Sequence, residues 1–534
     1  MSGMIEQSSR TRRHAAIPLL ERPPIPSAPM LVAGLGRAGR SALEALSALV
    51  GPDHVQAWDA DTGRHTRRTT RRLLARGTRV WLGAPPTNEE LGEVAAVIKS
   101  PGIGFDTSLI QQAAALGLYV LDELELGWRL SRAPIVAVTG TNGKSTTAGA
   151  LTSILTAAGM DAKLAGNTVF GVPLCEAARA GADVLVTEVS SYQLEGCDQL
   201  LPEVGVFTNL TAEHLGRHRT LERYGALKRR LFVRDGRAVS RAVVNVDGDF
   251  GRRLASEIER RGGQVARVGF AADADYRVDG VEWDLRRARV LISAPLGALV
   301  LATRLPGRYN ACNVAAALAT ADLLGIERAV TVPVISSYQG PPGRFEHIDL
   351  GQPFEVIVDF AHNPDGLEQH LTAVRAGMPT TSRVWIVLTV WGPPGTAIRR
   401  MGSIARQHSD RLVLTMSGFR GFSPVPALRA ALHQVRKTPG GEVVVILDRH
   451  RALRHALWGA EPGDVVLIPG WGAEADVRAD PRGVPIRFDA REVTRELLRE
   501  RVRNGQRARA AVWPQSVMST SRRPSTARSP SSAV

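Results

Sequence analysis

Apolar residues in this 534-residue chain fall mostly into short runs, each closed by glycine or small polar residues and followed by a longer amphipathic stretch. The first run, 30-MLVA-33, leads through the turn Gly34-Leu35-Gly36 into a helical pattern that reaches residue 49. Further strands are predicted at 54–61, 79–85, 95–103 and 118–130. The alternation restarts after Ala133-Pro134, with strands at 135–140, 183–189, 204–209 and 241–247. A more β-rich passage at 264–270 and 288–295 precedes a helix over 310–325. A third series begins at 343–348 and continues at 354–361, 383–390, 411–416, 442–447 and 464–470. Strands alternating with helices mark parallel α/β sheets. The restarts predict three α/β domains, at 29–132, 133–342 and 343–500, in keeping with a length too great for one hydrophobic core.

Composition changes this picture only at the ends. The formal charge is +15, and much of it lies in the Arg-, Ser- and Pro-rich segments at 8–28 and 501–534. Segments of this kind bury too little apolar surface to order themselves, so residues 1–28 and 501–534 are expected to be solvated tails, with a docking or nucleic-acid role as the alternative. Lysine is scarce, occurring only at Lys99, Lys144, Lys163, Lys228 and Lys437. Cys175, Cys197 and Cys312 form no C-x-x-C pair, which argues for a reducing compartment and against a zinc site. No apolar run approaches the roughly 18 residues of a membrane span, and the N-terminus lacks a signal-type apolar core, so a cytoplasmic protein is expected.

Two glycine turns carry candidate chemistry. Gly34, Gly36 and Gly39 follow a strand and open a helix, with Asp59 in the next strand. That arrangement suits a dinucleotide, another nucleotide-like ligand, or glycines needed only for packing. The second turn lies in 136-VAVTGTNGKSTTAG-149, where Gly143-Lys144-Ser145 ends like a Walker A loop but Val138 stands where its first glycine belongs. Backbone N–H groups of Gly140, Thr141, Asn142 and Gly143 could still cradle phosphate at a helix N-terminus. Lys144 would supply a cation, and Ser145 or Thr146 a hydroxyl for phosphate or Mg²⁺. Glu188 ends a strand, where a carboxylate suits Mg²⁺ or simply accepts hydrogen bonds. Taken alone, His214 and Lys228 read as a structural histidine and a surface lysine.

The ordered set TGTNGKSTT, TEVSSYQLE, NLTAEHL with a downstream YGALKRRLF, LPGRYNACNVAAALA and GRFE resembles the Mur ligase family over residues 30 to 500. The resemblance implies an ATP-dependent carboxylate–amine ligase working through an acyl phosphate, with two Mg²⁺ ions. It also implies a Rossmann-like UDP-binding first domain, a P-loop-type ATPase domain and a Rossmann-like C-terminal domain. The first domain, with 99-KSPGIGFDTSLIQQAAALGLYVLDELEL-126, is most similar to members that add D-glutamate to UDP-N-acetylmuramoyl-L-alanine. By that resemblance the first glycine turn and Asn167 bind the UDP substrate, and Asn310 and Asn313 lie at adenine. Lys228 would be carbamylated and hold the second Mg²⁺ with His214, and Arg344 and Asp359 would approach ATP from the third domain.

That third domain resembles other members. Asp359-Phe360-Ala361-His362-Asn363-Pro364-Asp365 is similar to the signature of the third-residue, folate and cyanophycin ligases, and His362 or Asp365 is a candidate for removing the amine proton. Arg420 and Glu474 are candidate acceptor contacts, but Trp471 and Ala473 replace the lysine and histidine of relatives, and Gly216 replaces a common aspartate. The resulting expectation is a monomer joining glutamate to UDP-N-acetylmuramoyl-L-alanine. Another amino acid and carboxylate, a basic nucleic-acid-binding ATPase and an NAD-dependent enzyme are the alternatives.

Overall fold

The structure, a computed structural model, describes residues 17–417, 423–473, 476–479 and 485–512. The first sheet is wholly parallel, with β1 Met30–Ala33, β2 Val55–Asp59, β3 Arg79–Leu82, β4 Ala96–Lys99 and β5 Tyr119–Asp122 in the order β3-β2-β1-β4-β5. Its order reverses between β1 and β4, so the crevice for a ligand lies at the C-terminal end of β1. There the first glycine turn runs into α1, Arg37–Val50. The strand expected over 118–130 stops at Asp122. The Asp122 carboxylate accepts from the Leu124 N–H at 3.0 Å and caps a helix over Glu123–Leu130. With no loop between them, strand and helix read as one apolar run.

The second sheet has nine strands. At its centre β6, Ile135–Thr139, lies between β8, Val184–Glu188, and β9, Val204–Phe207, all parallel, with β7, Ala162–Gly166, at one edge. Beyond β9 come Arg241–Asn245, Gln264–Gly269, Tyr276–Trp283, Ala288–Ser293 and Leu299–Thr303, and only the last two join antiparallel. Successive β6 residues face opposite layers: Val136 and Val138 enter one core cluster, Ile135 and Ala137 the other. Burial on both faces explains its unbroken apolar run.

The third sheet orders Glu346–His347, Glu355–Val358, Val465–Ile468, Val384–Val390, Arg411–Met416 and Glu442–Val445, antiparallel only at its first pair.

Both expected tails are shorter than the composition suggested. Ile17 is buried in the central core, the Leu20 N–H donates to Glu203 at 2.9 Å, and Arg22 lies 2.9 Å from the same carboxylate and over the Trp128 ring. Residues 17–28 thus form a strap across the first two domains, fixed by a buried carboxylate that charge content alone does not reveal. At the other end one helix runs Ala490–Val512, with Leu497 and Leu498 in a core, so helix continues past residue 501.

The first two domains meet in a dry seam. Lys99 and Asp122 pair at 2.8 Å, both fully buried, and the Asp122 N–H donates to Gly196 O at 2.7 Å. Glu123 accepts from the Cys175 N–H at 2.7 Å, and burial pushes its carboxyl up to about 8. Glu125 gathers the N–H groups of Asp198, Gln199 and Leu200.

Candidate active site

The second glycine turn hangs from the end of β6 and is held by its neighbours on β9's side. The Thr141 N–H donates to Asn209 O at 2.9 Å, the Asn142 N–H to Asn209 Oδ1 at 2.9 Å, and Thr208 Oγ1 to Asn142 O at 2.7 Å. Gly143, at φ +86°, admits no side chain, because a Cβ there would lie 2.2 Å from Asn313 Oδ1. The helix Lys144–Ala157 follows with no side-chain cap, leaving its first N–H groups for a ligand. Lys144 Nζ folds back to Gly140 O and Thr141 O at 3.2 and 2.6 Å.

Ser145 Oγ donates to Glu188 Oε2 at 2.7 Å, and Arg344 of the third domain reaches Ser145 Oγ at 3.3 Å. This hydroxyl–carboxylate pair is a hard oxygen set that fits Mg²⁺ beside a phosphate loop. Lys228 is buried, with Nζ 2.7 Å from Gly140 O and 4.4 Å from the Tyr224 ring centre. Burial, reinforced by Lys144, holds its ammonium well below the usual lysine range. A neutral amine can take up CO₂, whereas an ammonium can neither do so nor ligate a metal. As placed, on Gly140 O, Lys228 offers no oxygen to a second Mg²⁺.

His214 adopts a left-handed backbone (φ +54°) that brings its Nδ1 3.1 Å from the Tyr192 hydroxyl. Burial drives its imidazole down to about 4 against the pull of Glu213, so it is neutral, as a metal ligand must be. Behind it His218 bridges Ser191 Oγ at 2.9 Å and Glu195 at 3.3 Å and stacks on Tyr224. Tyr192, His218 and Tyr224 were not singled out from sequence, although the aromatic spacing of 214-HLGRHRTLERY-224 offered a signal.

The third domain closes on this loop. Asn142 Nδ2 donates to Asp365 at 2.7 Å, and Asn363 Nδ2 donates to Asn142 Oδ1 at 3.1 Å and to Glu213 at 2.9 Å. His362 Nε2 meets Glu213 at 3.0 Å, and its Nδ1 meets Phe360 O at 3.0 Å. Burial raises the Glu213 carboxyl, but the hydrogen bond and charge of His362 outweigh it and hold Glu213 far below the usual carboxylate range. As placed, both His362 nitrogens face oxygens, of Glu213 and Phe360, so service as the base suggested by its motif would need the ring to turn. It belongs to an aromatic wall with Trp391 and Trp471.

Between these two domains lies a cavity of about 890 Å³, lined by Asn142, Gly143, Thr146, Asn310, Asn313, Arg344 and Asp359. These seven of the predicted nucleotide residues thus share one chamber, whereas Gly140, Thr141, Lys144 and Ser145 are not among its lining. Asn310 and Asn313 are bonded to each other at 3.1 Å. Asp359 is buried, with its oxygens taken by the N–H groups of Phe345 and Ala361 at 2.7 and 2.6 Å, so it shapes the wall more than it offers a free acceptor.

The first glycine turn is built differently. Gly39 is fixed by packing, since a Cβ would lie 1.7 Å from Gly34 O, whereas nothing lies within 4 Å of a Cβ on Gly36. Asp59 accepts from the Leu35 and Asp61 N–H groups at 2.6 and 2.8 Å, so it braces the turn. Arg37 reaches Thr168 O at 3.0 Å and also Gly171 O, which brings the turn beside the exposed Asn167. Arg420 and Glu474 lie outside the described residues.

Residues 138–321 match the Mur ligase middle domain, and residues 343–472 match the Mur ligase glutamate ligase domain. The chain is 33% identical over 460 residues to UDP-N-acetylmuramoyl-L-alanyl-D-glutamate–2,6-diaminopimelate ligase of Thermosynechococcus vestitus, covering 80% of this chain and 87% of that one. This chain belongs to the Mur ligase family. As a Mur ligase it is an ATP-dependent, amide-forming enzyme of peptidoglycan-precursor synthesis. It is also 28% identical over 457 residues to UDP-N-acetylmuramoylalanine–D-glutamate ligase of Streptococcus sanguinis, covering 84% of this chain and 93% of that one. Among solved structures, UDP-N-acetylmuramate-alanine ligase from Thermotoga maritima shares the fold with a TM-score of 0.57 at 17% identity, over 90% of this chain and all (100%) of that one.

Proposed function

We propose that this Mur ligase joins glutamate to UDP-N-acetylmuramoyl-L-alanine. The ligase chemistry rests on one observation above the others: Ser145, Glu188 and the open helix N-terminus converge beneath residues of the third domain, where water can be kept from a reactive intermediate. The substrate carboxylate attacks the γ-phosphorus of ATP, ADP leaves and an acyl phosphate forms. The amine nitrogen then attacks the carbonyl carbon, the bond to phosphate oxygen breaks, and the nitrogen loses a proton.

Each residue has a proposed part. The N–H groups of Gly143, Lys144, Ser145 and Thr146 hold phosphate oxygens, those of Thr141 and Asn142 being bound to Asn209, and Lys144 offsets charge on the transferring group. Ser145 and Glu188 would hold one Mg²⁺; His214 and carbamylated Lys228 would hold the second. Bound Mg²⁺ supplies charge neutralisation at the phosphoryl oxygens. Asn310 and Asn313 face the nucleotide, and Arg344 crosses from the third domain. The turn at Gly36, with Asn167, receives the UDP moiety, and Arg420 and Glu474 are proposed for the acceptor. Both seams lie within one chain, so a monomer suffices. No helix among the described residues is long and apolar enough to cross a membrane. The three free thiols accord with the reducing cytoplasm proposed as its place of work.

Glutamate is supported by the likeness of the first domain to glutamate-adding members and by the Streptococcus sanguinis relative. A second reading, addition of a diamino acid to a UDP-muramoyl dipeptide, is favoured by the Thermosynechococcus relative. ADP release measured across both UDP-muramoyl donors and a panel of amino acids separates them. Release that needs the alanyl donor and glutamate together is expected. Release needing only the dipeptide donor and a diamino acid selects the second reading, and release driven by nucleic acid alone sinks both.

A further inference from the structure

His370 has no part in the chemistry above, yet it lines the same cavity. It stands on the helix Pro364–Gly377 of the third domain and lies flat on Tyr309 of the middle domain, with ring centres 4.6 Å apart and planes at 17°. The Phe345 ring meets it at 66°. Its Nδ1 is 2.7 Å from Asp359 Oδ1, a close approach that lacks hydrogen-bond geometry. With Asp359 otherwise filled by two backbone N–H groups, the imidazole is the polar group the pair presents to the chamber. Nε2 meets no hydrogen-bond partner among the described residues.

We propose that His370 is a nucleotide-binding residue of this chain that contacts the nucleoside half of ATP. The inference rests on the reading of the chamber as the ATP site. Two features favour nucleoside over triphosphate. The phosphate end is marked by Lys144, Arg344 and the helix N-terminus, whereas His370 sits among the Tyr309 and Phe345 rings, an apolar surrounding that suits a base or sugar. The Asp359 carboxylate also offsets any positive charge on His370, so the pair is a poor attractor for a polyanion. Stacking on Tyr309 and the nearby Asp359 carboxylate hold the ring in place. Sequence similarity in the Asp359–Asp365 motif stops short of this residue, and only the helix turn brings it back to Asp359.

The test is calorimetric binding of two Mg²⁺-loaded probes, the imido analogue of ATP and inorganic tripolyphosphate, to the full chain. His370→Phe keeps a ring on Tyr309 but has no nitrogen to offer. It is expected to weaken the ATP analogue about five- to tenfold, the worth of one hydrogen bond, and to leave tripolyphosphate unchanged. His370→Gln, which retains a polar end, is expected to lose less, and it serves if the Phe variant melts early. Unchanged affinity for the analogue in both variants overturns the proposal, as does an equal loss for both probes, which would mark a phosphate contact. Failure of the wild-type chain to bind either probe would overturn the ATP reading itself.

Discussion

The chain makes two strand–glycine–helix turns and sets each beside a seam between domains, but the two seams differ in kind. The seam beside the first turn is dry: Lys99, Asp122, Glu123 and Glu125 are all buried and satisfied largely by backbone or by one another. The seam beside the second is polar, made of single side-chain bonds among Asn142, Asn363, Asp365, Glu213 and His362 around a chamber. A dry seam fixes two domains as one body. A seam of a few exchangeable polar contacts can open for nucleotide and close over it. On the proposed function, the first turn presents a substrate and the second reacts.

The largest effect should come from removing the reactive turn's cation. Lys144→Ala is expected to lower ADP formation at least about 10³-fold, the scale of losing a transition-state charge contact. Its melting temperature should match the wild type, because Nζ bonds only to carbonyls of its own loop. Retained turnover would erase the contrast between the turns.

Next, the first turn can be tested against itself. Gly39→Ala forces a methyl onto Gly34 O and should cost about 3 kcal/mol or more in a denaturant titration. Gly36→Ala meets open space, so stability should hold while the KM for the UDP substrate rises several-fold with little change in kcat. Equal stability losses at both positions would show that Gly36, too, serves only packing.

The smallest effect concerns the dry seam's own titration. The Glu123 carboxyl is raised to about 8, so the folded chain holds a proton that the unfolded chain releases above roughly pH 4.5. The associated stability is complete below that pH and is lost as pH rises toward 8. Glu123→Gln, which needs no proton, should be more stable at pH 8 by at least about 1.4 kcal/mol and flatten thermal stability against pH. An unaltered slope would mean that the seam admits water.

Sequence disclosed the strands that are buried on both faces and closed by glycine. β1 and β6 stand out as apolar runs because their neighbours leave them no polar side. Tyr276–Trp283 escaped notice since it carries Arg277, Asp279 and Glu282 on its more exposed positions, and Leu299–Thr303 is a half-exposed edge. The order of motifs along the chain singled out the second glycine turn, Glu188, His214 and Lys228, because each follows a strand end or a helix tied to one. Glu213 and His370 were beyond its reach. Their meaning depends on a contact with another domain, about 150 residues away for Glu213 and Asn363, and no local pattern records that pairing.

The strap of residues 17–28 has a consequence for how the chain is made. Its anchor, Glu203, lies 181 positions downstream of Arg22. On the ribosome the first sheet can close around β1 to β5 long before that carboxylate emerges, since domains generally fold as units in order of synthesis. The strap can meet Trp128 and Arg129 of the first domain early, but its bond to Glu203 must wait while the middle domain is translated. Its docking would mark the moment at which two independently folded sheets become a single body.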